Sequence, residues 1–131
     1  MSEPVIRHAV VWCDVPVRDL DRARTFYTAI MGGETYLVSG PDFRFALLPQ
    51  EGVSVGGCLY EPTSHVNEPS QTGPLVYINV DGRMTAALAA VEAHGGRITL
   101  PCEKIGEHGF RALIVDSEGN RVALHSHTAP E

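Results

Sequence analysis

Side chains that could bind or transform a small molecule lie along the expected strands of this chain. They are Trp12, Asp14, Cys58, Tyr60, Tyr77, Asn79 and His125, with His108 in an expected loop. Alternate residues of a strand point to the same side, so each pair within a strand shares a face. Aromatic surfaces with a few polar groups are typical of sites for small organic molecules.

His125 is the candidate for acid–base chemistry. Its imidazole could accept a proton, or donate a hydrogen bond to a bound carbonyl group. A half-buried histidine satisfied by a neighbouring strand explains the same position. Cys58 could act as a nucleophile only if a nearby cation stabilised its thiolate, and a buried free cysteine is more often an inert small side chain.

The aromatic and short polar candidates also have two interpretations. Trp12, Tyr60 and Tyr77 could form the wall of a ligand pocket or fill that space themselves, and a buried tyrosine hydroxyl needs a hydrogen-bond partner. Asp14 and Asn79 lie near strand ends, where short polar side chains commonly cap a turn or a helix. His108, beside two glycines, is expected at the mouth of the pocket.

Two segments, residues 10–37 and 73–100, share one order of elements. Each has a strand, an amphipathic helix, a Gly-Gly pair and a second strand, which indicates one module used twice. Further strands follow each copy, so we predict an α+β fold of two βαβββ modules lying side by side. Their strands would form one curved mixed sheet, a cup with the helices on its convex face.

We expect residues 1–131 to form one domain. Module one would span about residues 5–61, a linker 62–73, and module two about 74–127. The first strand is expected over residues 6–15 and ended by Pro16, and the first helix is expected to begin after Asp19 and end at Gly32. Residues 101–109 are expected to form a loop.

Alternation along these strands predicts which residues face the helices. The convex face is expected to carry Val11, Cys13, Val15, Leu59, Val76, Ile78, Val80, Val122 and Leu124. The concave face is expected to carry Trp12, Asp14, Cys58, Tyr60, Leu75, Tyr77, Asn79, Ala123 and His125. The first set is uniformly apolar and the second is mixed, so a ligand site is predicted on the concave face.

Composition restricts the function further. The 131 residues are 44% hydrophobic and carry a net charge of −6, and the ten basic residues are scattered. Nucleic acids and anionic membranes need clustered positive charge, so neither is an expected partner. The sequence has no apolar run of about 20 residues, and we do not expect its first residues to act as a signal peptide. With three cysteines lacking paired spacing, we expect a cytoplasmic protein.

Two motifs resemble a known family. They are VPVRDLDRARTFY at residues 15–27 and DSEGNRVAL at residues 116–124, accompanied by the two Gly-Gly helix ends. The chain resembles the vicinal oxygen chelate superfamily, which includes glyoxalase, bleomycin-resistance proteins and extradiol dioxygenases. Within it, the chain is most similar to the lactoylglutathione lyase-related group. The resemblance also implies a homodimer.

The same resemblance places four metal ligands at Trp12, Cys58, Leu75 and Ala123. None of these is a carboxylate or an imidazole, so we expect no cofactor, and a divalent metal would need unusual donors. The resemblance therefore implies a protein that binds a small, planar or carbonyl-containing molecule in the cup without the usual metal. The alternative is a glyoxalase-like lyase or isomerase that uses His125 as its base.

Overall fold

The computed structural model describes residues 8–52, 54–63 and 67–130. Within these ranges the first module contains one helix and four strands. They are β1 (Trp12–Pro16), α1 (Leu20–Met31), β2 (Tyr36–Ser39), β3 (Arg44–Leu47) and β4 (Gly56–Tyr60). The second module repeats this order. Its elements are β5 (Val76–Asn79), α2 (Met84–Ala93), β6 (Arg97–Lys104), a 3₁₀ turn (Gly106–His108), β7 (Phe110–Val115) and β8 (Arg121–Ser126).

The strands form two four-stranded mixed sheets, with orders β1-β4-β3-β2 and β5-β8-β7-β6. The first strand of each module runs parallel to the last strand, and the other pairs are antiparallel. In the described part of the chain no strand pairing joins the two sheets. The predicted α+β fold of two βαβββ modules is confirmed, with the strands in two four-stranded sheets that are not closed.

Helix α1 has both of the ends that its sequence predicts. The Asp19 carboxylate accepts a hydrogen bond from the Arg22 backbone N–H at 3.0 Å, which satisfies one free donor of the first turn. At the other end Gly32 has φ +74°, and its N–H donates to the Thr28 carbonyl. Glycine adopts this left-handed conformation without steric cost, so the helix ends there.

One hydrophobic core joins both sheets and both helices. Along the strands, Val15, Leu59 and Ile78 are buried in this core, as their alternation predicts, and α1 packs against α2. The other side of the first sheet, which we call its open face, carries Trp12, Asp14, Phe45, Cys58 and Tyr60. Among the residues described, no helix is long and apolar enough to span a membrane.

The first strand is shorter than the sequence predicts. β1 begins at Trp12, which pairs with Gly56 at the start of β4. Val11 precedes this pairing and is 73% exposed, so its predicted place on the core face is wrong. Residues 6 and 7 lie outside the described residues. Val10 and Val11 do not form a strand because, among the described residues, no partner strand extends beside them.

The predicted loop at residues 101–109 is also wrong in its first half. β6 continues through Pro101 to Lys104, with irregular register between Leu100 and Glu103. Proline lacks an N–H and is tolerated on an edge strand or at a bulge. β6 is the edge of its sheet, and for this reason Pro101 does not end it.

A buried turn of module two, residues 116–120, holds the start of α1. The Glu118 carboxylate accepts hydrogen bonds from the backbone N–H groups of Arg18 and Asp19 at 2.9 and 2.8 Å, and from the Arg22 guanidinium at 2.7 and 2.8 Å. Ser117 donates its hydroxyl at 2.8 Å. Burial alone would raise the pKa of Glu118, but these hydrogen bonds outweigh it and lower the pKa to about 2.

The same turn reaches β1 and the middle of α1. Asn120 donates its amide to the Pro16 carbonyl at 2.7 Å, and the Tyr27 hydroxyl donates to Asp116 at 2.6 Å. Burial and the neighbouring Asp116 carboxylate raise the pKa of Tyr27 well above its ordinary value, so the phenol remains the donor. The two modules are therefore joined by polar contacts as well as by the apolar core.

Candidate functional site

An open cleft of about 830 Å³ lies on the open face of the first sheet. Its floor is formed by alternate residues of β1, β3 and β4, and its rim by the loop between β2 and β3 and by residues 61–63. Four aromatic side chains line it: Trp12, Phe43, Phe45 and Tyr60. We call this feature the aromatic cleft, and every residue lining it belongs to module one or to the start of the linker.

The aromatic rings are accessible from the cleft. Trp12, the only tryptophan in the sequence, is 42% exposed, and Phe43 is 52% exposed. The rings of Phe43 and Phe45 lie 6.1 Å apart. Phe43 folds over Gly40, where any side chain would collide with its ring, and the Gly40 N–H donates to the Phe43 carbonyl at 2.9 Å. The β2–β3 hairpin thus fixes one wall of the cleft.

Asp14 links β1 to β4 on the cleft floor. Its Oδ1 atom accepts hydrogen bonds from Trp12 Nε1 at 2.9 Å and from Cys58 Sγ at 3.3 Å. Burial, together with the hydrogen bond and negative charge of Asp14, raises the pKa of Cys58 to about 12. The thiol is therefore protonated at neutral pH, which favours the inert interpretation of Cys58 over the nucleophilic one.

The remaining polar groups of the cleft are mostly paired. The Tyr60 hydroxyl accepts a hydrogen bond from the Asn67 amide at 2.9 Å. The Arg44 guanidinium lies 3.5 Å from Asp21 and 3.8 Å from Glu61. Of the described residues that line the cleft, Arg44 is the only basic one, and Asp14, Asp42 and Glu61 are acidic. The cleft therefore has an excess of negative charge.

The other predicted site residues form a second group on module two. Tyr77 and His125 lie with their ring centroids 6.2 Å apart. The Tyr77 hydroxyl accepts a hydrogen bond from Arg111 at 2.6 Å, and Arg111 also donates to Glu103 at 3.2 Å. None of these residues lines the aromatic cleft. The structure thus separates the predicted site residues into two groups.

His125 already has a partner at one ring nitrogen. Nε2 lies 2.6 Å from the backbone carbonyl of His108, and because a carbonyl only accepts, Nε2 must be the donor. His108 therefore contributes its backbone to this contact. The His127 ring stands edge-on to His125 at 5.0 Å. Asn79 accepts the Asp81 backbone N–H at 2.9 Å, a local turn contact.

Several cleft residues were not predicted from the sequence. The cleft is also lined by Phe43, Phe45, Asp42, Arg44 and Glu61. They were not predicted because the expected site positions lie mainly on the first and last strands of each module. Phe43 and Phe45 are two residues apart, and Ala46 next to Phe45 is buried. This alternation is the signal that could have placed Phe45 on the open face.

The residues at the expected metal positions do not fit a metal ion. Leu75 and Ala123 have no donor atom, and Trp12 uses its indole N–H as a donor to Asp14. Cys58 is protonated, whereas thiol ligands bind metals as thiolates. Within the described ranges, no three His, Cys, Asp or Glu side chains are grouped to hold a metal. That the purified protein carries no metal stays a prediction.

Comparison with solved structures shows the same fold. A glyoxalase/bleomycin resistance protein from Albidiferax ferrireducens T118 is 19% identical with a TM-score of 0.71, and the match covers 92% of this chain and 100% of that one. A glyoxalase-related enzyme from Fulvimarina pelagi is 16% identical with a TM-score of 0.63, covering 92% and 88%. The fosfomycin resistance protein FosX from Mesorhizobium loti is 14% identical with a TM-score of 0.61, covering 95% of each chain.

No match was found among curated proteins. The more specific resemblance to the lactoylglutathione lyase-related group stays a prediction. A family model described as the Glyoxalase/Bleomycin resistance protein/Dioxygenase superfamily matches residues 8–124. This match spans both modules, and the chain therefore belongs to that superfamily.

Proposed function

We propose that this protein binds a small planar molecule in the aromatic cleft, without the metal that related enzymes use. The observation that carries the proposal is the cleft itself, about 830 Å³ in volume and lined by four aromatic side chains. Sites for small organic molecules are commonly about 300–1,000 Å³ and mainly apolar, with a few polar groups that fix orientation. The aromatic cleft has this size and composition.

Stacking would supply most of the binding energy. Offset or edge-to-face contacts between aromatic rings each contribute about 0.5–1.5 kcal/mol beyond the apolar area they bury. Trp12 and Phe43 present exposed ring surface to the cleft. Asp14, which is tied to the floor by two hydrogen bonds, can orient a polar group of the ligand.

The alternative, a lyase or isomerase with His125 as base, has less support. His125 donates from Nε2 to the His108 carbonyl, so only Nδ1 could accept a proton from a substrate. His125 also does not line the aromatic cleft. A substrate held there by Trp12 and Phe43 would therefore need a different base.

Trp12 provides a direct assay, because it is the only tryptophan and lines the cleft. We expect planar aromatic compounds to quench its fluorescence in a saturable way. Phe43→Ala should weaken this binding about tenfold, the loss expected for about 1.4 kcal/mol of stacking. Tyr36→Ala is the matched control, since Tyr36 is an exposed aromatic residue on β2 that does not line the cleft.

Two results would contradict the proposal. The binding site is elsewhere if Phe43→Ala and Tyr36→Ala change affinity equally. The metal-free part fails if protein purified without a histidine tag contains stoichiometric zinc, nickel or iron by elemental analysis. In that case ligands other than Trp12, Cys58, Leu75 and Ala123 must hold the ion.

A further inference from the structure

We propose that the ligand of the aromatic cleft is an organic cation, a planar ring system bearing a positive charge. This inference rests on the proposed binding function and specifies the class of ligand. The site is defined by the cleft and its aromatic walls, and its charged groups determine which ligand it prefers. Those groups are the acidic residues Asp14, Asp42 and Glu61 and the basic residue Arg44.

Among the described residues, one guanidinium lines the cleft, and it already lies near two carboxylates. Arg44 lies between two carboxylates, 3.5 Å from Asp21 and 3.8 Å from Glu61. Glu61 also accepts the Leu20 backbone N–H at 3.1 Å, which fixes its position at the helix start. An anionic ligand would have to compete with both carboxylates for Arg44 and would meet the negative charge of the cleft floor.

Asp14, by contrast, is held in place by uncharged donors. The partners of its Oδ1 atom are the Trp12 indole N–H and the Cys58 thiol, and both are neutral donors. Its carboxylate lies on the cleft floor beside the Trp12 ring. Asp42 adds a second carboxylate on the hairpin at the rim.

A planar cation satisfies both features of the cleft at once. Its ring can stack on the aromatic walls, and its charge is attracted by the negative face of an indole or phenyl ring. Asp14 is exposed to solvent, and a cation seated beside it would exclude water from between the two charges and so strengthen their attraction. A neutral ligand gains the stacking alone, and an anion gains stacking but is repelled.

Three acridines with the same ring system but different charges separate the contribution of stacking from the contribution of charge. At mildly alkaline pH 9-aminoacridine is a cation, acridine is neutral and acridine-9-carboxylate is an anion. Titrations followed by Trp12 fluorescence and by calorimetry should show the cation binding about tenfold or more tightly than acridine, and the anion most weakly. Added salt should weaken the cation's binding and leave acridine's nearly unchanged.

Asp14→Asn tests the charge at nearly constant shape, because the amide oxygen can still accept the Trp12 and Cys58 hydrogen bonds. It should weaken 9-aminoacridine binding about tenfold and change acridine binding less than about twofold. Asp42→Asn should also weaken the binding of 9-aminoacridine. Glu107→Gln, on the 3₁₀ turn of module two, is the control and should change neither.

The outcomes distinguish this inference from the proposed function. Equal affinity for the three acridines, or an unchanged affinity of 9-aminoacridine in both Asp14→Asn and Asp42→Asn, would overturn the cation preference while planar binding stands. If none of the three quenches Trp12, both proposals fail. Preference for the cation that is lost in the two variants and kept in Glu107→Gln supports both.

Discussion

Replacing Glu118 by glutamine should weaken the folded state strongly and change its response to acid. The Glu118 side chain is fully buried and its Oε2 atom accepts hydrogen bonds from Arg22 Nε at 2.7 Å and from Ser117 at 2.8 Å. In Glu118→Gln one carboxylate oxygen becomes an NH₂ group, which cannot accept. If the remaining oxygen keeps the backbone N–H groups of Arg18 and Asp19, the NH₂ group faces the Arg22 donor.

The size of the effect follows from the pKa. The hydrogen bonds lower the pKa of Glu118 from an ordinary value of 4.5 to about 2, and each pH unit corresponds to about 1.4 kcal/mol, so the ionised carboxylate contributes about 3 kcal/mol. Because the folded-state pKa is the lower one, this stability is fully present above about pH 5 and is lost as the pH falls toward 2. Breaking a buried ion pair by removing one charge costs a similar amount.

Urea unfolding followed by circular dichroism at several pH values measures this effect. At about pH 7 Glu118→Gln should be about 3 kcal/mol less stable than the wild type, and the difference should shrink steadily below about pH 5. Glu92→Gln, an exposed residue of α2, should stay close to the wild type throughout. A loss below about 1 kcal/mol at neutral pH, or a difference that does not depend on pH, would refute this account of Glu118.

Three further predictions concern packing, thiol chemistry and assembly. Gly57→Ala should cost about 1–3 kcal/mol in urea unfolding, because a Cβ at Gly57 would lie 2.6 Å from the Cys13 carbonyl oxygen; an unchanged midpoint would contradict that close approach. At about pH 8 iodoacetamide should label Cys58 far more slowly in the folded than in the urea-unfolded chain, since burial and the neighbouring carboxylate raise its pKa to about 12; peptide mass spectrometry would show equal rates if this is wrong. We expect a homodimer because the resemblance to the superfamily implies one; light scattering that shows a monomer at all concentrations would refute it.

Helix α1 could be predicted from sequence because its ends depend on local chemistry. Asp19 and Gly32 bound α1 where their residue types indicate. The ends of strands depend on partners far away in the chain. No strand of the described residues lies beside Val11, and Pro101 is accommodated because β6 is an edge.

The candidate site was predictable only in part, because sequence patterns describe single strands and not how distant strands are arranged. Alternation gives the face of a residue within its own strand, and it correctly groups Trp12 with Asp14 and Cys58 with Tyr60 on the open face. It gives no distance between two sheets, so it could not show that Tyr77 and His125 lie outside the cleft formed by module one. The rim formed by Phe43 depends on how the β2–β3 hairpin folds over Gly40, which a strand pattern does not contain.

Hydrogen bonds on the cleft floor join β1 to β4 at two of the positions where the resemblance places metal ligands. The family resemblance places metal ligands at Trp12 and Cys58, and an ion bound there would join β1 to β4. Here both side chains donate to the single carboxylate of Asp14, which links the same two strands. Module two fixes the other end of β1, since Asn120 donates to the Pro16 carbonyl at 2.7 Å. The floor is thus fixed at both ends before a ligand arrives, so Asp14 can orient a ligand with little loss of its own conformational freedom.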